Sequence, residues 1–394
     1  MENLRPDSGI LDLAIIGGGP AGTAAALEAK RHGLRVAICE RDRFPRNKVC
    51  GEFISSEALP WLQTAIPATA ARGTVIRCAE FVSDNGLARA FHLPRPALGL
   101  SRRLLDAALW KAAEAVGVEA QEGECVRKVR KLVPGHKQAN IWEIESDGGS
   151  VRRAKALIIA CGRWWTVEGL SSPARQTGSA MPGDWVGAKA HFAGIPSRGN
   201  VEMYFFRGGY CGLAPVDGDA CNLCCLVHRE RFRESGAKGI GDFAAWLVQM
   251  SRLPALETRL RGAEQVSSVI TTAPVDLARR QAAQGGALMV GDASGFLDPF
   301  TGEGISMALH SGRLAARTVA MSLSEGFGDE QAAEIYAQSL TQAVRRSYKI
   351  AAMARGLIHG PGWVQGLVTA PLPWIGNRLV RETRWRGSRG VKLS

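Results

Sequence analysis

Gly17, Gly19 and Gly22 stand in a Gly-x-Gly-x-x-Gly turn between a short apolar run, Leu11 to Ile16, and an alanine-rich stretch, Thr23 to His32. Gly17 allows a sharp turn, Gly19 lets the backbone approach a pyrophosphate, and Gly22 lets helix and strand pack closely. Pro20 and Ala21 open the helix, whose free N–H groups and partial positive charge suit phosphate oxygens. Glu40, followed by Arg41, closes the next strand eighteen residues past Gly22. Its carboxylate can accept from a ribose 2′-OH and would repel a 2′-phosphate. A dinucleotide is expected here.

A second constellation separates FAD from NAD. Gly291 and Asp292 follow a buried strand, Ala287 to Val290, and Pro299, Gly302, Gly304 and Ile305 lead into another helix. Asp292 is placed for the ribityl hydroxyls of a flavin nucleotide. The Gly302–Gly304 N–H groups can face the pyrimidine edge of the flavin, where negative charge develops on reduction. An NAD enzyme needs no such second element, so FAD is the expected cofactor.

The elements that position these motifs alternate in type. Strand, glycine turn, helix and strand fill the first forty residues, and a helix from about Arg102 to Val116 follows. Strands are predicted at Cys125–Val133, Asn140–Ser146 and Lys155–Ala160, where Gly162 ends the run. From Trp185 to Val227 four short strands succeed one another with Gly, Pro and Asp between them, the pattern of an antiparallel sheet inserted between nucleotide-binding segments. The fold class is therefore α/β, an α+β composite. Residues 1–75, 100–180 and 265–330 are expected to form a discontinuous FAD-binding Rossmann-type domain. Residues 76–99 and 181–264 would form the substrate domain, and 331–394 a helical basic C-terminal region.

Glycine makes up 46 of the 394 residues, well above the usual share of about 7%, as tight turns and close ligand approaches require. The net charge of +12 is uneven: ten basic residues and one acid from Thr341 onward give +9, leaving +3 for the rest. A nucleic-acid-binding body is not indicated, whereas a basic tail is. Nine scattered cysteines, and the lack of an apolar run of about 18 residues, point to reduced thiols and a cytoplasmic address, with room for a peripheral place at the inner membrane face.

Three separated motifs resemble one group of flavoproteins. Gly291 to Ile305 resembles the C-terminal FAD signature of the p-hydroxybenzoate hydroxylase fold group. Ser101-Arg102-Arg103-Leu104-Leu105-Asp106 resembles its arginine-bearing helix start, with Arg102 in the FAD-contacting position. Within the group, Phe44 to Ser55 is most similar to the geranylgeranyl reductases, whose Cys-Gly pair beside the flavin matches Cys50-Gly51. The resemblance spans about residues 10–325 and implies NAD(P)H as a transient reductant, since no second Gly-x-Gly-x-x-Gly follows a strand.

Departures from these relatives shape the reading. The Asp-Gly of aromatic hydroxylases is replaced by Cys161-Gly162. The tunnel motif of polyprenyl reductases becomes Tyr210-Cys211-Gly212-Leu213-Ala214-Pro215, without two large aromatics. Halogenases of the superfamily carry a lysine past the first βαβ unit and a Trp-x-Trp-x-Ile-Pro motif. Here no lysine lies between Lys48 and Lys111 and that motif is missing, which argues against a halogenase.

Cys50 is the candidate catalytic residue, as a thiol able to give a proton. Tyr204, Phe206, Tyr210, Leu213 and Pro215 are candidate pocket residues, with Trp164-Trp165 as further aromatics. Cys221-x-x-Cys224-Cys225 lies in a strand pattern without a second CxxC, so no metal is expected. The expected activity is reduction of a C=C bond in a hydrophobic substrate, prenyl, polyketide-like or related. The alternative is a monooxygenase that hydroxylates or epoxidises a hydrophobic or aromatic substrate through a C4a-hydroperoxide. A non-catalytic prenyl-binding or lipid-binding escort is the third reading. The basic tail, with its tryptophans, suits an anionic membrane surface or an acidic carrier protein.

Overall fold

A computed structural model describes residues 9–132, 140–163, 167–170, 185–235, 241–275, 280–358 and 372–385. The chain opens with β1 (Ile10–Ile16), α1 (Pro20–Arg31) and β2 (Val36–Glu40). Next come β3 (Phe53–Ile54), α2 (Leu59–Ala65), α3 (Pro67–Ala70) and the pair β4 (Thr74–Val82) and β5 (Ala88–Gly99). After α4 (Arg102–Ala115) and β6 (Glu119–Glu122), a meander follows: β7 (Val126–Leu132), β8 (Ile141–Ser146) and β9 (Val151–Ile159). Four strands come after it: β10 (Trp185–Ala193), β11 (Asn200–Phe206), β12 (Gly209–Pro215) and β13 (Cys221–His228). Then come α5 (Arg229–Glu234), α6 (Phe243–Ser251), α7 (Pro254–Leu260), β14 (Glu264–Gln265) and β15 (Ile270–Val275). The remainder is β16 (Ala283–Gln284), β17 (Ala287–Met289), α8 (Gly304–Glu325), α9 (Asp329–Ile358) and α10 (Leu372–Thr383).

The first sheet has the order β16-β17-β9-β1-β2-β6, with β7 and β8 joined to the start of β9. Strands β17, β9, β1, β2 and β6 run parallel, so their carboxyl ends share one edge. Parallel strands need both faces covered, and they read as continuous apolar runs. Here α1, α4, α8 and α9 cover one face, and the β7–β8 ribbon covers the other.

Helix α1 starts cleanly because Pro20 occupies its first turn, and it ends at Gly33 in the left-handed region. Its alanines leave little side chain between it and α8. An ideal Cβ on Gly312 of α8 would lie 2.0 Å from the Ala21 carbonyl oxygen. That close crossing joins the two halves of the flavin signature.

The second sheet has the order β14-β10-β13-β12-β11-β4-β5-β3, with β15 on β10. It is antiparallel except for β11 beside β4, which run parallel, so the expectation of a wholly antiparallel sheet is corrected. The long excursion between these strands, through α4 and the first sheet, returns the chain in the same direction. Two segments expected in the cofactor domain also pair here: Phe53–Ile54 on β5 and Ile270–Val275 on β10. Their backbone hydrogen bonds are completed by this sheet, whatever their position in sequence. Helices α6 and α7 cover its far face.

Candidate active site at the seam of two sheets

Gly17 follows β1, Glu40 ends β2, Ala160–Gly162 follow β9, and Gly291–Asp292 follow β17. All therefore lie at the carboxyl edge of the parallel sheet, where ligands of open α/β folds bind. Gly17 has φ 107°, and an ideal Cβ on it would stand 2.4 Å from the Ala160 carbonyl oxygen. At Gly22 a Cβ would meet the Gly17 carbonyl at 1.9 Å. Gly19 differs, since a Cβ there would find only Arg102 Nη2, at 3.9 Å. The turn is thus packed tightly from behind and open in front.

Basic groups converge on that open side. Arg102 makes a two-pronged pair with fully buried Asp106, Nε to Oδ1 at 2.7 Å and Nη2 to Oδ2 at 2.6 Å. Burial would pull its guanidinium down, but Asp106 outweighs this and holds its pKa above the usual value. Arg46 bonds Glu40 and Asp42 at 3.1 and 2.8 Å, while its buried Nε has no protein partner. Glu40 accepts from Gly18 N–H at 2.7 Å and from Asp42 N–H at 3.0 Å. An orphaned guanidinium donor, an open glycine turn and a carboxylate at the next strand end fit the pyrophosphate and ribose of a dinucleotide. Arg41, expected to bind the cofactor, is mostly exposed and faces Asp42 at 3.7 Å. It lies one residue beyond β2 and acts on Cys161 at the same edge, while Arg46 bonds Glu40 itself.

Across the groove, no atom lies within 4 Å of an ideal Cβ on Gly51, Gly162 or Gly304, which marks an open cradle. Asp292 has Arg163 Nε at 3.9 Å, and Arg163 stacks on Phe296. Burial pushes the Asp292 carboxyl up against the pull of Arg163, Arg102 and Arg280. A ribityl hydroxyl would give this carboxylate a hydrogen-bond donor. Pro299 opens a short 3-10 turn capped by Asp298, Gly302 has φ 68°, and buried Ile305 anchors the start of α8. These residues fit the flavin end of FAD, and bound FAD would supply hydride chemistry at the seam.

Cys50 sits where the first sheet's loops meet the second sheet. Its carbonyl accepts from Asn222 Nδ2 at 2.9 Å, and its sulfur accepts from Glu52 N–H at 3.3 Å. Burial, opposed by Arg102, pushes the Cys50 thiol up, so it stays protonated at neutral pH. Cys224 faces the same neighbourhood, and burial pushes it up to about 12.

Sequence reasoning missed the group behind Cys50. Glu52 is fully buried and takes a left-handed backbone, φ 58°. Its Oε1 accepts from Arg102 N–H at 2.7 Å and from Lys189 Nζ, and its Oε2 meets His191 Nε2 at 2.6 Å. Burial alone would raise this carboxyl, but His191 and Lys189 outweigh it and hold it below the usual range. One signal was available: a lone lysine within the apolar run Trp185–Ala193, at a position that must be buried.

The pocket expectation divides by strand parity. Tyr204, Phe206 and Leu213 pack with α6 and α7 on the far face, and the Tyr204 hydroxyl donates to Glu202 at 2.6 Å. They do not line the seam. Pro215 is buried at the end of β12, with its carbonyl against Gly99. Tyr210 does face the seam, where its hydroxyl donates to Asp298 Oδ1 at 3.0 Å. Met203, Phe205 and Leu226 join it there, with Phe296 and Phe300. Trp164 and Trp165 lie outside the described residues. Among the described residues no cluster of Cys, His, Asp and Glu could hold a metal ion, and no helix is long and apolar enough to cross a membrane.

The fold and the groove define a flavoprotein. Residues 11–178 match the family described as pyridine nucleotide-disulphide oxidoreductase. Conditioned medium factor receptor 1 of Dictyostelium discoideum is 27% identical over 81% of this chain, which spans 65% of that relative's length. Digeranylgeranylglycerophospholipid reductase 3 of Methanosphaera stadtmanae is 24% identical over 86% of this chain and 84% of its own. The 1H-pyrrole-2-carbonyl-[peptidyl-carrier protein] brominase of Pseudoalteromonas luteoviolacea is 24% identical over 79% and 78%. A solved flavin-dependent brominase superposes with TM-score 0.75 at 20% identity, over 95% of this chain and 93% of its own. A geranylgeranyl bacteriochlorophyll reductase-like structure from Thermoplasma acidophilum superposes with TM-score 0.74 at 18% identity, over 95% and 96%. These structural likenesses establish the fold. The chain has the fold and the dinucleotide half-site of FAD-dependent oxidoreductases, and it is similar to geranylgeranyl reductases and to flavin-dependent halogenases.

Proposed function

We propose that this enzyme uses NAD(P)H to reduce its FAD and then reduces a carbon–carbon double bond in a hydrophobic substrate. The observation that carries the reading is the placement of Cys50: a protonated thiol on an open Cys-Gly turn, packed on the first sheet's core and joined to the second sheet through Asn222. Bound FAD would supply the hydride to one alkene carbon. Cys50 then gives its proton to the other carbon, and the resulting thiolate is stabilised by Arg102 and Lys189 before solvent returns a proton. The product gains one hydride and one proton, and NAD(P)H is oxidised once per turnover. Phe205, Met203 and Leu226 offer the apolar contact that orients the substrate.

The brominase relatives favour a second reading, O₂ activation followed by hydroxylation or epoxidation of a similar substrate. A halogenase proper needs a lysine free to take up hypohalous acid. Lys189, the lysine that β10 brings to this site, is 1% exposed and tied to Glu52. The readings part in one experiment: reduce the holoprotein anaerobically, then mix it rapidly either with oxygenated buffer or with a polyprenyl allylic alcohol. Flavin reoxidation by the alkene without O₂, with saturated product, supports C=C reduction. An absorbance transient that needs O₂ and is prolonged by an apolar ligand, with no anaerobic product, overturns it.

A further inference from the structure

The basic C-terminal segment reaches the flavin signature through one arginine. Helix α10 lies on β5, where an ideal Cβ on Gly376 would stand 2.7 Å from the Phe91 ring. Its end is tied to α9 by Ser347 Oγ, which donates to the Thr383 carbonyl at 2.6 Å. Trp385 stacks on the His310 ring of α8, with centroids 5.1 Å apart and planes 9° from parallel. Between these two anchors Arg384, 8% exposed, turns inward and pairs with Glu303, 2% exposed. Glu303 stands between Gly302 and Gly304, the residues whose N–H groups are expected to face the pyrimidine edge of the flavin.

We propose that Arg384 is a positioning residue of the flavin site, which neutralises Glu303 beside the ring and holds the start of α8 in place, so that the C-terminal helix sets the reduction potential of FAD. The inference requires bound FAD but neither reaction type, since it concerns only the flavin's surroundings. A carboxylate next to the pyrimidine edge opposes the negative charge of reduced flavin, and a guanidinium on that carboxylate removes the opposition.

Among the described residues, the charged groups facing Glu303 are few. Arg384 contacts it directly, Glu57 stands 3.6 Å from Arg384 Nε, and Ser55 offers a hydrogen bond. Beyond Glu57 lie His310, Arg313 and Arg317. Burial, opposed by Arg384 and aided by Glu57, pushes the Glu303 carboxyl up to about 7. Below that pH the pair carries +1, and above it the pair is neutral. Without Arg384 the site would be neutral at low pH and would carry −1 once Glu303 ionises.

The test measures the midpoint potential of full-length holoprotein from about pH 6 to about pH 9, with FAD affinity and thermal unfolding recorded alongside. Arg384→Met should lower the potential below about pH 7, by roughly tenfold or more in the preference for reduced over oxidised FAD, about 30 mV for a two-electron couple. Above that pH it should approach the wild type and fall below it again only where Glu303 ionises. Glu303→Gln should match the wild type at low pH and exceed it at high pH. The double variant should match the wild type at high pH and fall below it at low pH. Curves of potential against pH that superimpose for wild type and Glu303→Gln would overturn the proposal, even if melting or FAD affinity changes. Should Arg384→Met fail to hold FAD, Glu303→Gln and Arg384→Lys still decide the matter. Arg384→Lys keeps the charge, and it should keep the potential close to that of the wild type.

Discussion

Glu52 Oε2 lies 2.6 Å from His191 Nε2, and this contact crosses from the Cys50 turn to the second sheet. The same carboxylate holds Lys189 and the first N–H of α4, so one side chain ties together three separate parts of the chain. Its backbone also hydrogen-bonds Leu100 at 3.1 Å. A left-handed conformation at a non-glycine residue costs on the order of 1–2 kcal/mol and persists where its surroundings over-determine it. Here they do.

Removing one partner of this buried cluster should therefore be severe. Lys189→Met and Glu52→Gln are each expected to cost roughly 3–5 kcal/mol, because a buried charge is left uncompensated. Urea unfolding of the holoprotein measures this. The folded pKa of Glu52 is depressed, so its contribution is present above the unfolded carboxylate value and is lost as pH falls through the folded one. The wild type should lose its advantage over Glu52→Gln on acidification below about pH 4. A constant difference across that range would show that the carboxylate's charge is not what stabilises the seam.

Gly22→Ala tests the phosphate turn. The new methyl would meet the Gly17 carbonyl at 1.9 Å, and backbone cannot move aside as a flexible side chain can. The strain should cost about 1–3 kcal/mol and disturb the turn more than the core. The variant should be purified folded but largely colourless. A normal flavin-to-protein ratio would contradict the placement of the pyrophosphate.

Much of this architecture was legible because its signals are local. Gly17 to Glu40 encode a strand, a turn and a helix through spacing alone, and Gly291 to Ile305 encode the second half of the site. Face assignment was less legible. Tyr204 and Phe205 are adjacent and equally aromatic, yet alternation sends one toward α7 and the other toward the seam. Choosing between them requires knowing which side the first sheet covers, and that is a tertiary fact. Glu52 was hidden for a related reason, since its partners Arg102, Lys189 and His191 are distant in sequence. Arg384 read as one more charge in a basic tail, because Glu303 lies 81 residues away.

That parity has a measurable consequence. Tyr204→Phe removes a hydrogen bond to charged Glu202 and should lower stability by roughly 1.5–3 kcal/mol, leaving KM for the apolar substrate unchanged. Phe205→Leu alters the seam face and should raise KM by roughly tenfold, as loss of apolar contact does in a hydrophobic pocket. The reverse pattern would put the pocket behind the second sheet.

Cys50→Ala separates proton delivery from flavin chemistry. Loss of a positioned acid should slow alkene reduction by about 10²–10⁴-fold. Flavin reduction by NAD(P)H should change little, because Cys50 takes no part in that step. Stopped-flow absorbance resolves the two half-reactions. Burial raises the Cys50 thiol, so alkylation of Cys50, followed by peptide mass, should rise only at a pH above the ordinary thiol range. Above about pH 8.5 the unfolded chain ionises this thiol and the folded chain does not, so its contribution to stability declines as pH rises. Lys189→Met should raise the alkylation pH further, since it removes a positive charge that favours the thiolate. Unchanged alkylation in that variant would mean the lysine does not act on the sulfur, and the thiolate's stabilisation would then fall to Arg102 alone.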